Sequence, residues 1–514
     1  MDVGMREVLT AAQMRAVEAA AMRLGTVTGL ELMERAGEGV LAAVQAAWPA
    51  LDGAERRALV LCGPGNNGGD GFVIARLLAD RGWRVDVVLM PPAGQMPADA
   101  QANRALWESR GAVLGVTDLA AGWGGAAPDL IVDALFGTGI TRPLSEAAQA
   151  ALAGLDRLRD GGRCKVVAVD LPSGLCADSG HDFGARLPAD LTVTFHRPKP
   201  GHYLDRGPAI CGQLVVADIG LTQAPPPGCG AVMQLSHPDP AGLTKARRHK
   251  YDYGHALILG GGAGQGGAAR LAARGALRIG AGLVTLGAPP EAMAENATRL
   301  DAVMLTPLDG PSALIRALAD SRITAVCAGP GWGVARAASF LPALLEASSN
   351  RALVLDADAL TALGTCPALM QHLPEACVLT PHWGEFARLF PDLAARAGGS
   401  APITPLWQIV SEAAARAGCT VLLKGAATLV AGPSGDLGLN AALYDRAAPW
   451  LATAGSGDVL AGLICGLLAR GIPPQEAALT GAWLHVEAAR AFGPGLIAED
   501  LPETLPQVLR ALKV

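Results

Sequence analysis

The sequence predicts two α/β domains in series, and three observations carry that expectation. A short apolar segment, a Gly-rich turn and a helix-forming stretch follow one another repeatedly along the chain. The apolar segments are hydrophobic throughout rather than alternating with polar residues, as expected of parallel strands covered on both faces. One run of prolines divides the series near its middle. The 514 residues also exceed the ~250–300 at which a single hydrophobic core stops growing. With 51% hydrophobic and 17% charged residues, both domains have ample core material.

In chain order, the first helix opens at Thr10, which forms a capping box with Gln13, and stops at Gly25. A second runs from about Leu30 to Ala47. Strands follow at Ala58–Cys62, Val85–Leu89, Leu130–Asp133, Lys165–Asp170, Leu191–Phe195 and Gln213–Ala217, with a helix from Phe72 after the first of them. The three consecutive prolines in QAPPPGCG, residues 223–230, exclude a central strand or helix interior. That segment reads as a linker between domains at 1–222 and 231–514. Beyond it, strands are expected at Ala256–Leu259, Leu283–Leu286, Ala325–Ala328, Leu353–Asp356, Ala376–Thr380 and Val421–Lys424. Helices Val459–Arg470, Pro474–Arg490 and a C-terminal one close the chain.

Composition narrows the function. Aromatic residues are 4% and the net charge is −6, which argues against base-stacking platforms and basic nucleic-acid surfaces. No turn-free, uncharged apolar run reaches ~18 residues, and the N-terminal residues lack a signal-peptide pattern. The ten cysteines are scattered with no CxxC pair, so they read as reduced thiols. The expectation is a cytoplasmic enzyme or binding protein, homo-oligomeric, with small-molecule rather than nucleic-acid or membrane partners.

In the first domain the strand Ala58–Cys62 enters GPGNNGGDG, residues 63–71, and then a helix. Gly63, Gly65 and Gly68 fit a phosphate-cradling GxGxxG. No lysine follows, as a Walker loop requires, and the next strand ends, in VDVVLMPP, without the acidic residue that holds a ribose. Asn66, Asn67 and Asp70 exceed the needs of a pyrophosphate turn. Two further strands end in polar groups, at Asp133 before Gly137, Thr138 and Gly139, and at Asp170 before Ser173. Ligand sites in doubly wound sheets lie beyond the carboxyl ends of strands, so the three loops are expected to converge. Asn67, Asp133 and Ser173 offer oxygens suited to a hard cation, and Asp170 suits general acid/base work. Either aspartate could instead serve as a helix cap or turn residue.

These runs, with DALFGTGxxR, VDLPSG and the later FxxxKPG of Phe195–Gly201, resemble the YjeF N-terminal domain, the NAD(P)H-hydrate epimerase family. The resemblance covers nearly the whole first domain and implies a Rossmann-like three-layer α/β/α fold. It also implies that the hydrated dinucleotide is contacted by Asn66, Asn67, Gly68, Gly69 and Asp70, and by Gly137, Thr138, Gly139, Ile140, Thr141, Arg142 and Pro143. Potassium would be held by Asn67, Asp133 and Ser173, with Asp170 at the reacting centre. Leu171 stands where isoleucine is commoner.

In the second domain, residues 249–282 read as a strand, a glycine-rich turn and a small-residue helix, which suits either ligand approach or close packing. His382 in LTPHWGEF follows a strand, where histidine is often a structural hydrogen-bonding group. Lys424, Gly425, Ala426, Ala427 and Thr428 in LLKGAAT end another strand and suit phosphate or ribose, although a strand-end lysine is commonly just solvated. In ATAGSGDVLAGLICGLLARG, Gly455, Ser456 and Gly457 open a long apolar helix whose amides form an anion hole. Asp458 stands at its mouth as a candidate base for phosphoryl transfer, or as a charge complementing the helix dipole.

With VLDADAL, TPHxGE and LKGxxT, these segments resemble the ribokinase-like superfamily, and within it the ADP-dependent NAD(P)H-hydrate dehydratases, over about Lys250 to Arg490. The resemblance implies that Ala256, Gly331, His382 and Asp458 contact the hydrated dinucleotide, and that Lys424–Thr428 and Gly457 hold the adenine nucleotide. Asp458 would be the base, and magnesium would accompany ADP. Ala454, Tyr251 and Trp332 depart from the family pattern, with Ala454 expected to tighten the anion hole and Trp332 to reshape the pocket. The implied activities are epimerisation of R- and S-NADHX or NADPHX and ADP-dependent dehydration of the S form. Two alternatives stay open at the level of sequence: a kinase of a vitamin-like alcohol, and a YjeF-type module that only binds.

Overall fold

The computed structural model describes residues 6–53, 55–91, 95–116, 127–159, 163–246, 249–348, 350–397 and 403–514. The chain divides into two compact units, residues up to Val232 together with 403–405, and the remainder.

In the first unit seven strands form one parallel sheet: β1 (Arg57–Cys62), β2 (Arg84–Leu89), β3 (Val113–Gly115), β4 (Leu130–Ala134), β5 (Lys165–Val169), β6 (Leu191–Phe195) and β7 (Gln213–Ala217). Their order is β3-β2-β1-β4-β5-β6-β7. The order reverses at β1 and β4, the switch point where doubly wound folds open a crevice beyond the strand ends. Along β1, Ala58, Val60 and Cys62 enter one apolar cluster, and Leu59 and Leu61 enter the cluster on the opposite face. That division is why the strand carries no polar alternation. The first two helices, Ala11–Arg23 and Gly29–Ala47, each begin in a capping box, Thr10 with Gln13 and Thr28 with Glu31. The proline-rich segment is tied to this unit: the Gln13 amide donates to the carbonyls of Cys229 (3.1 Å) and Ala231 (3.0 Å).

Ten strands of the second unit form a mixed sheet. They are β8 (Met233–Leu235), β9 (His255–Leu259), β10 (Leu283–Ala288), β11 (Met304–Pro307), β12 (Ile323–Ala328), β13 (Ala352–Leu355), β14 (Cys377–Leu379), β15 (Thr420–Leu423), β16 (Ala427–Ala431) and β17 (Leu437–Ala441). They lie in the order β8-β17-β16-β15-β14-β13-β12-β9-β10-β11. The block from β15 to β11 is parallel, whereas β16 pairs antiparallel with both β15 and β17. From Val459 to Ala469 the Ser456–Ala469 helix is buried on every side. It packs against the Gly267–Arg278 helix so closely that a side chain at Gly462 would lie 2.0 Å from the Ala272 carbonyl oxygen. The small residues of the 249–282 segment thus serve helix packing.

Three differences from the sequence expectation share a cause. The strands expected to reach Asp170, Asp356 and Lys424 each stop one residue earlier, because those residues turn out of the ladder to carry polar contacts. The helix expected from Phe72 starts at Asn66, so the glycines and asparagines form its first turn rather than a loop before it. β3, β8 and β11 were not expected, being strands of only three or four residues; the β16–β17 hairpin was not expected either, although both strands are buried and interior to the sheet. For the packing itself, Gly462→Ala is expected to cost about 1–3 kcal/mol by overpacking two backbones. Gly310→Ala, which meets open space, should leave the melting temperature nearly unchanged. Thermal denaturation of the two variants checks this.

Candidate active sites

In the first unit, Asp170 follows β5 in a left-handed conformation (φ 67°) that non-glycine residues rarely adopt. Its Oδ1 accepts from Lys199 Nζ at 2.6 Å and from Thr194 Oγ1 at 2.8 Å. Lys199 is 1% exposed and also donates to Thr194 Oγ1 (2.7 Å) and the Phe195 carbonyl (3.4 Å). His202 completes the clamp. Its Nδ1 accepts from the Lys199 amide at 2.9 Å, so the proton is on Nε2, which donates to the Asp170 carbonyl at 2.9 Å. Burial and the Lys199 charge drive the His202 imidazole down to about 4, keeping it neutral. Burial would raise the Asp170 carboxyl, but the Lys199 charge and the hydrogen bonds from Lys199 and Thr194 outweigh it and hold the group below its ordinary range.

The other loops meet this tip. A side chain at Gly137 would lie 3.1 Å from Asn67 Oδ1 and 3.3 Å from Asp170 Oδ2, so Asn67, Gly137 and Asp170 share one small space. Buried Asp133 accepts from the Ser173 hydroxyl (2.6 Å) and amide (2.8 Å), and Ser173 Oγ accepts from the Phe136 amide at 2.8 Å. Asn67 Nδ2 is buried without a hydrogen-bond partner. Desolvation, then the charges of Asp170 and Glu18, push Asp70 well above the carboxylate range. Gly68 and Gly69 are buried and Asn66 is exposed; Thr138 and Ile140 are half-buried, while Gly139, Thr141, Arg142 and Pro143 lie on the surface. Thr194, Lys199, His202 and Glu18 were not singled out from the sequence as site residues, although KPG had been noted as a motif.

In the second unit the strand tips of β13, β14 and β15 meet the start of the Ser456–Ala469 helix. Lys424 is placed by its amide, which donates to the Pro381 carbonyl at 2.8 Å. Its Nζ donates to Asp356 Oδ1 at 2.7 Å and lies 4.0 Å from Glu385 Oε2. A side chain at Gly457 would come 3.5 Å from the same Nζ. The helix opens on Gly455 (φ 88°) with no side-chain cap, so its first amides face outward as an anion hole requires. Burial, then the negative charge of Asp356, raises the Asp458 carboxyl to about 6 against the opposing pull of Lys424. Asp358 Oδ2 accepts from the Gly333 amide at 2.8 Å, tying VLDADAL to the loop after β12.

Other expected residues fare differently. His382 caps the Trp383–Leu389 helix: its Nδ1 accepts from the amides of Gly384 (3.0 Å) and Glu385 (3.2 Å), and its outer edge stays exposed. Ala256 is not brought to the cluster. It is fully buried near the start of β9, packed in the apolar core, whereas the polar groups stand at the opposite strand ends. Gly331 (φ 59°) packs its carbonyl against Gly261. Thr428 Oγ1 donates to the Gly425 carbonyl at 2.8 Å and closes the turn from Gly425 through Ala426 and Ala427 into β16. Trp332 is 2% exposed and edge-on to Phe340, so its ring packs in the interior. Tyr251 lies on the surface between His249 and Arg322. Asp356 and Glu385 were inside quoted motifs but had been given no role.

The buried pair is testable as a stability element. Lys199→Met leaves Asp170 without its cation and is expected to destabilise the first unit by about 3–5 kcal/mol. The Asp170→Asn, Lys199→Met double variant should lose less than the sum of the single changes, as a denaturation cycle reads. Because the Asp170 carboxyl is lowered on folding, its contribution is complete above the ordinary carboxylate range and is lost as pH falls through the depressed value.

Comparison with known proteins covers both units. Residues 29–201 match the family model described as YjeF-related protein N-terminus, and residues 256–507 match that described as NAD(P)H-hydrate dehydratase. The bifunctional NAD(P)H-hydrate repair enzyme Nnr of Moorella thermoacetica is 37% identical over 98% of this chain and 97% of its own. The same-named enzymes of Salinibacter ruber and Escherichia coli are 36% and 34% identical, over 98% and 94% of this chain and 96% and 90% of theirs. Since the likeness spans both units, covering nearly the whole chain and nearly the whole of these relatives, the chain belongs to the family of bifunctional NAD(P)H-hydrate repair enzymes.

Proposed function

We propose that this chain repairs hydrated nicotinamide dinucleotides in two steps, with Asp170 working in the first unit and Asp458 in the second. Hydration leaves a hydroxyl on the ring carbon beside the nitrogen, in either configuration. The observation that carries the reading is Asp458 at the mouth of an uncapped helix N-terminus, its carboxyl raised to about 6 and Lys424 beside Gly457. A base poised near neutrality can take the hydroxyl proton as the oxygen attacks the β-phosphorus of ADP. Lys424 and the Gly457 amide oppose the charge that develops on the transferred group. AMP departs, the ring nitrogen lone pair expels phosphate, and loss of the neighbouring ring proton restores the dihydronicotinamide. Hydroxide leaves poorly and phosphate well, which is what the nucleotide contributes.

A chiral site of this kind accepts one epimer, so the other must be converted. In the first unit Asp170, kept ionised by Lys199, takes the hydroxyl proton as the carbon–oxygen double bond of an aldehyde forms and the ring carbon–nitrogen bond breaks, its electron pair going to nitrogen. Nitrogen then re-adds to the opposite face of the aldehyde and Asp170 returns the proton to oxygen, so that carbon changes hand. Asn66–Asp70 and Gly137–Pro143 would hold the dinucleotide. Asn67, Asp133 and Ser173 would hold a potassium ion, which supplies positive charge to the loop junction. The fit rests on the hard oxygen donors of Asn67, Asp133 and Ser173, whereas the unpartnered Asn67 Nδ2 is an N–H donor that suits an acceptor on the dinucleotide. Among the described residues no lysine or arginine forms an ion pair with buried Asp133. Nor do three acidic, histidine or cysteine side chains converge as a metal group among those residues, which suits magnesium carried by nucleotide phosphates rather than by a protein cage. No helix among them is long and apolar enough to cross a membrane.

The test is recovery of reduced-nicotinamide absorbance from a mixture of both epimers with ADP, magnesium and potassium. Complete recovery supports both steps, and a stall relieved by a separate epimerase would remove Asp170 from its role. Accumulation of a stable phosphorylated alcohol would replace dehydration with a kinase activity. For dehydration of the S epimer, kcat/KM should fall on the acid side with a midpoint near 6, because Asp458 accepts a proton only when ionised. Asp458→Asn should abolish that limb and lower kcat by about 10²–10⁴-fold.

A further inference from the structure

The aspartate proposed as base in the first unit stands on a strained backbone. Across Asp170, at φ 67°, the Leu171 amide donates to the Val169 carbonyl at 2.9 Å. This is the positive-φ form of the γ-turn, which is rare and strained, and such a turn persists only where its surroundings over-determine it. Two restraints come from β6: the Asp170 amide donates to the Val193 carbonyl at 2.8 Å, and Thr194 Oγ1 donates to Asp170 Oδ1. Neither acts on the peptide that follows Asp170. Turning the Asp170–Leu171 peptide about the Cα–C bond would break the turn hydrogen bond, let φ return to negative values and swing the carboxylate.

His202 acts on that peptide. Its Nε2–H donates to the Asp170 carbonyl at 2.9 Å, while its Nδ1 accepts from the Lys199 amide, also at 2.9 Å. The segment that carries the ring is closely seated. The Gly201 amide donates to the Ala177 carbonyl at 2.6 Å, and a side chain at Gly201 would collide with the Cys176 carbonyl oxygen. Residues 199–202 therefore deliver two groups to one aspartate, an ammonium to Oδ1 and an imidazole to the carbonyl. Asp170 Oδ2 is left facing the space it shares with Asn67 Oδ1 at Gly137, and where that oxygen points depends on the turn. His202 is fully buried, so it acts on substrate through Asp170.

We propose that His202 is a positioning residue of the epimerisation site, its Nε2–H holding the Asp170 carbonyl so that the left-handed turn keeps Oδ2 aimed at the substrate hydroxyl. The inference rests on the epimerase reading of the first unit. Two variants of the full chain separate the two bonds of the ring. His202→Asn keeps an acceptor near the place of Nδ1 and removes the donor to Asp170, whereas His202→Gln carries an N–H to the place of Nε2. Conversion of the R epimer is followed by the reduced-nicotinamide absorbance it yields with ADP, magnesium, potassium and a separate dehydratase in excess. His202→Asn should lower kcat by about 10²-fold, the scale for a reacting group misplaced by about 1 Å, with KM for the hydrated dinucleotide unchanged. His202→Gln should recover most of that loss. The melting temperature of each variant reports folding.

Unchanged kcat in His202→Asn overturns the proposal and leaves the epimerase reading standing, and so does a loss confined to KM. Equal loss of kcat in both variants, with the melting temperature lowered equally, reduces His202 to a packing role and overturns it too. Should His202→Asn not fold, His202→Gln decides alone: kcat close to that of the unaltered chain supports the donor role, and a loss at an unchanged melting temperature overturns it. An unaltered chain that leaves the R epimer unconverted sinks the reading and the proposal together.

Discussion

In each unit a lysine ammonium stands on a carboxylate just past the end of a parallel strand, Lys199 at 2.6 Å from Asp170 and Lys424 at 2.7 Å from Asp356. The strand ends are where chemistry can be placed, since the sheet interior is apolar on both faces and admits no charge. They are also where a carboxylate loses water without gaining a partner, and an unpaired one would take up a proton. The two lysines meet this constraint differently. Lys199 spends all three of its N–H donors, on Asp170, Thr194 and the Phe195 carbonyl, so it holds the carboxylate and keeps no donor for a ligand. Lys424 has one close acceptor and is partly exposed beside Gly457, so it keeps donors for an incoming phosphate.

The contrast carries into the two aspartates proposed as bases. Asp170 and Asp458 are both desolvated, yet one lies below and the other well above the ordinary range. The difference is the sign of the nearest charge: Lys199 touches Asp170, whereas for Asp458 the negative charge of Asp356 outweighs the attraction of Lys424. An ionised, oriented carboxylate suits reversible proton transfer at a hydroxyl. One that titrates near neutrality suits a base that must be recharged in each cycle.

Most of the fold and half of each site were legible in the sequence. Continuous apolar strands, glycine turns and the proline break announce two parallel α/β units without any knowledge of pairing. Asp133, Asp170, Lys424 and Asp458 stand out as polar groups at the ends of apolar runs. Their partners do not. Lys199 is 29 residues from Asp170 and Asp356 is 68 from Lys424, and no local pattern links them. Nor does periodicity reveal that a strand stops one residue early in a left-handed turn, as at Asp170. His382 was placed on the dinucleotide by resemblance, while a histidine after a strand is often a structural hydrogen-bonding group; its Nδ1 caps the helix it begins and its outer edge stays exposed. Ala256 was assigned by resemblance alone, and its place inside the core is a matter of depth along the strand, which spacing does not report.

What fixes the second site in space is the helix that carries Asp458. It has no solvent face to relax toward, and at Gly462 and Gly466 it meets the backbone of the neighbouring helix at distances no side chain would allow. Such contacts remove the small translations by which a surface helix absorbs strain. The uncapped first turn therefore stays within reach of Lys424. Precision of that kind explains why so much glycine and alanine lies far from the reacting groups. Close approach between two backbones holds the amides in register with charges delivered from a different layer of the fold.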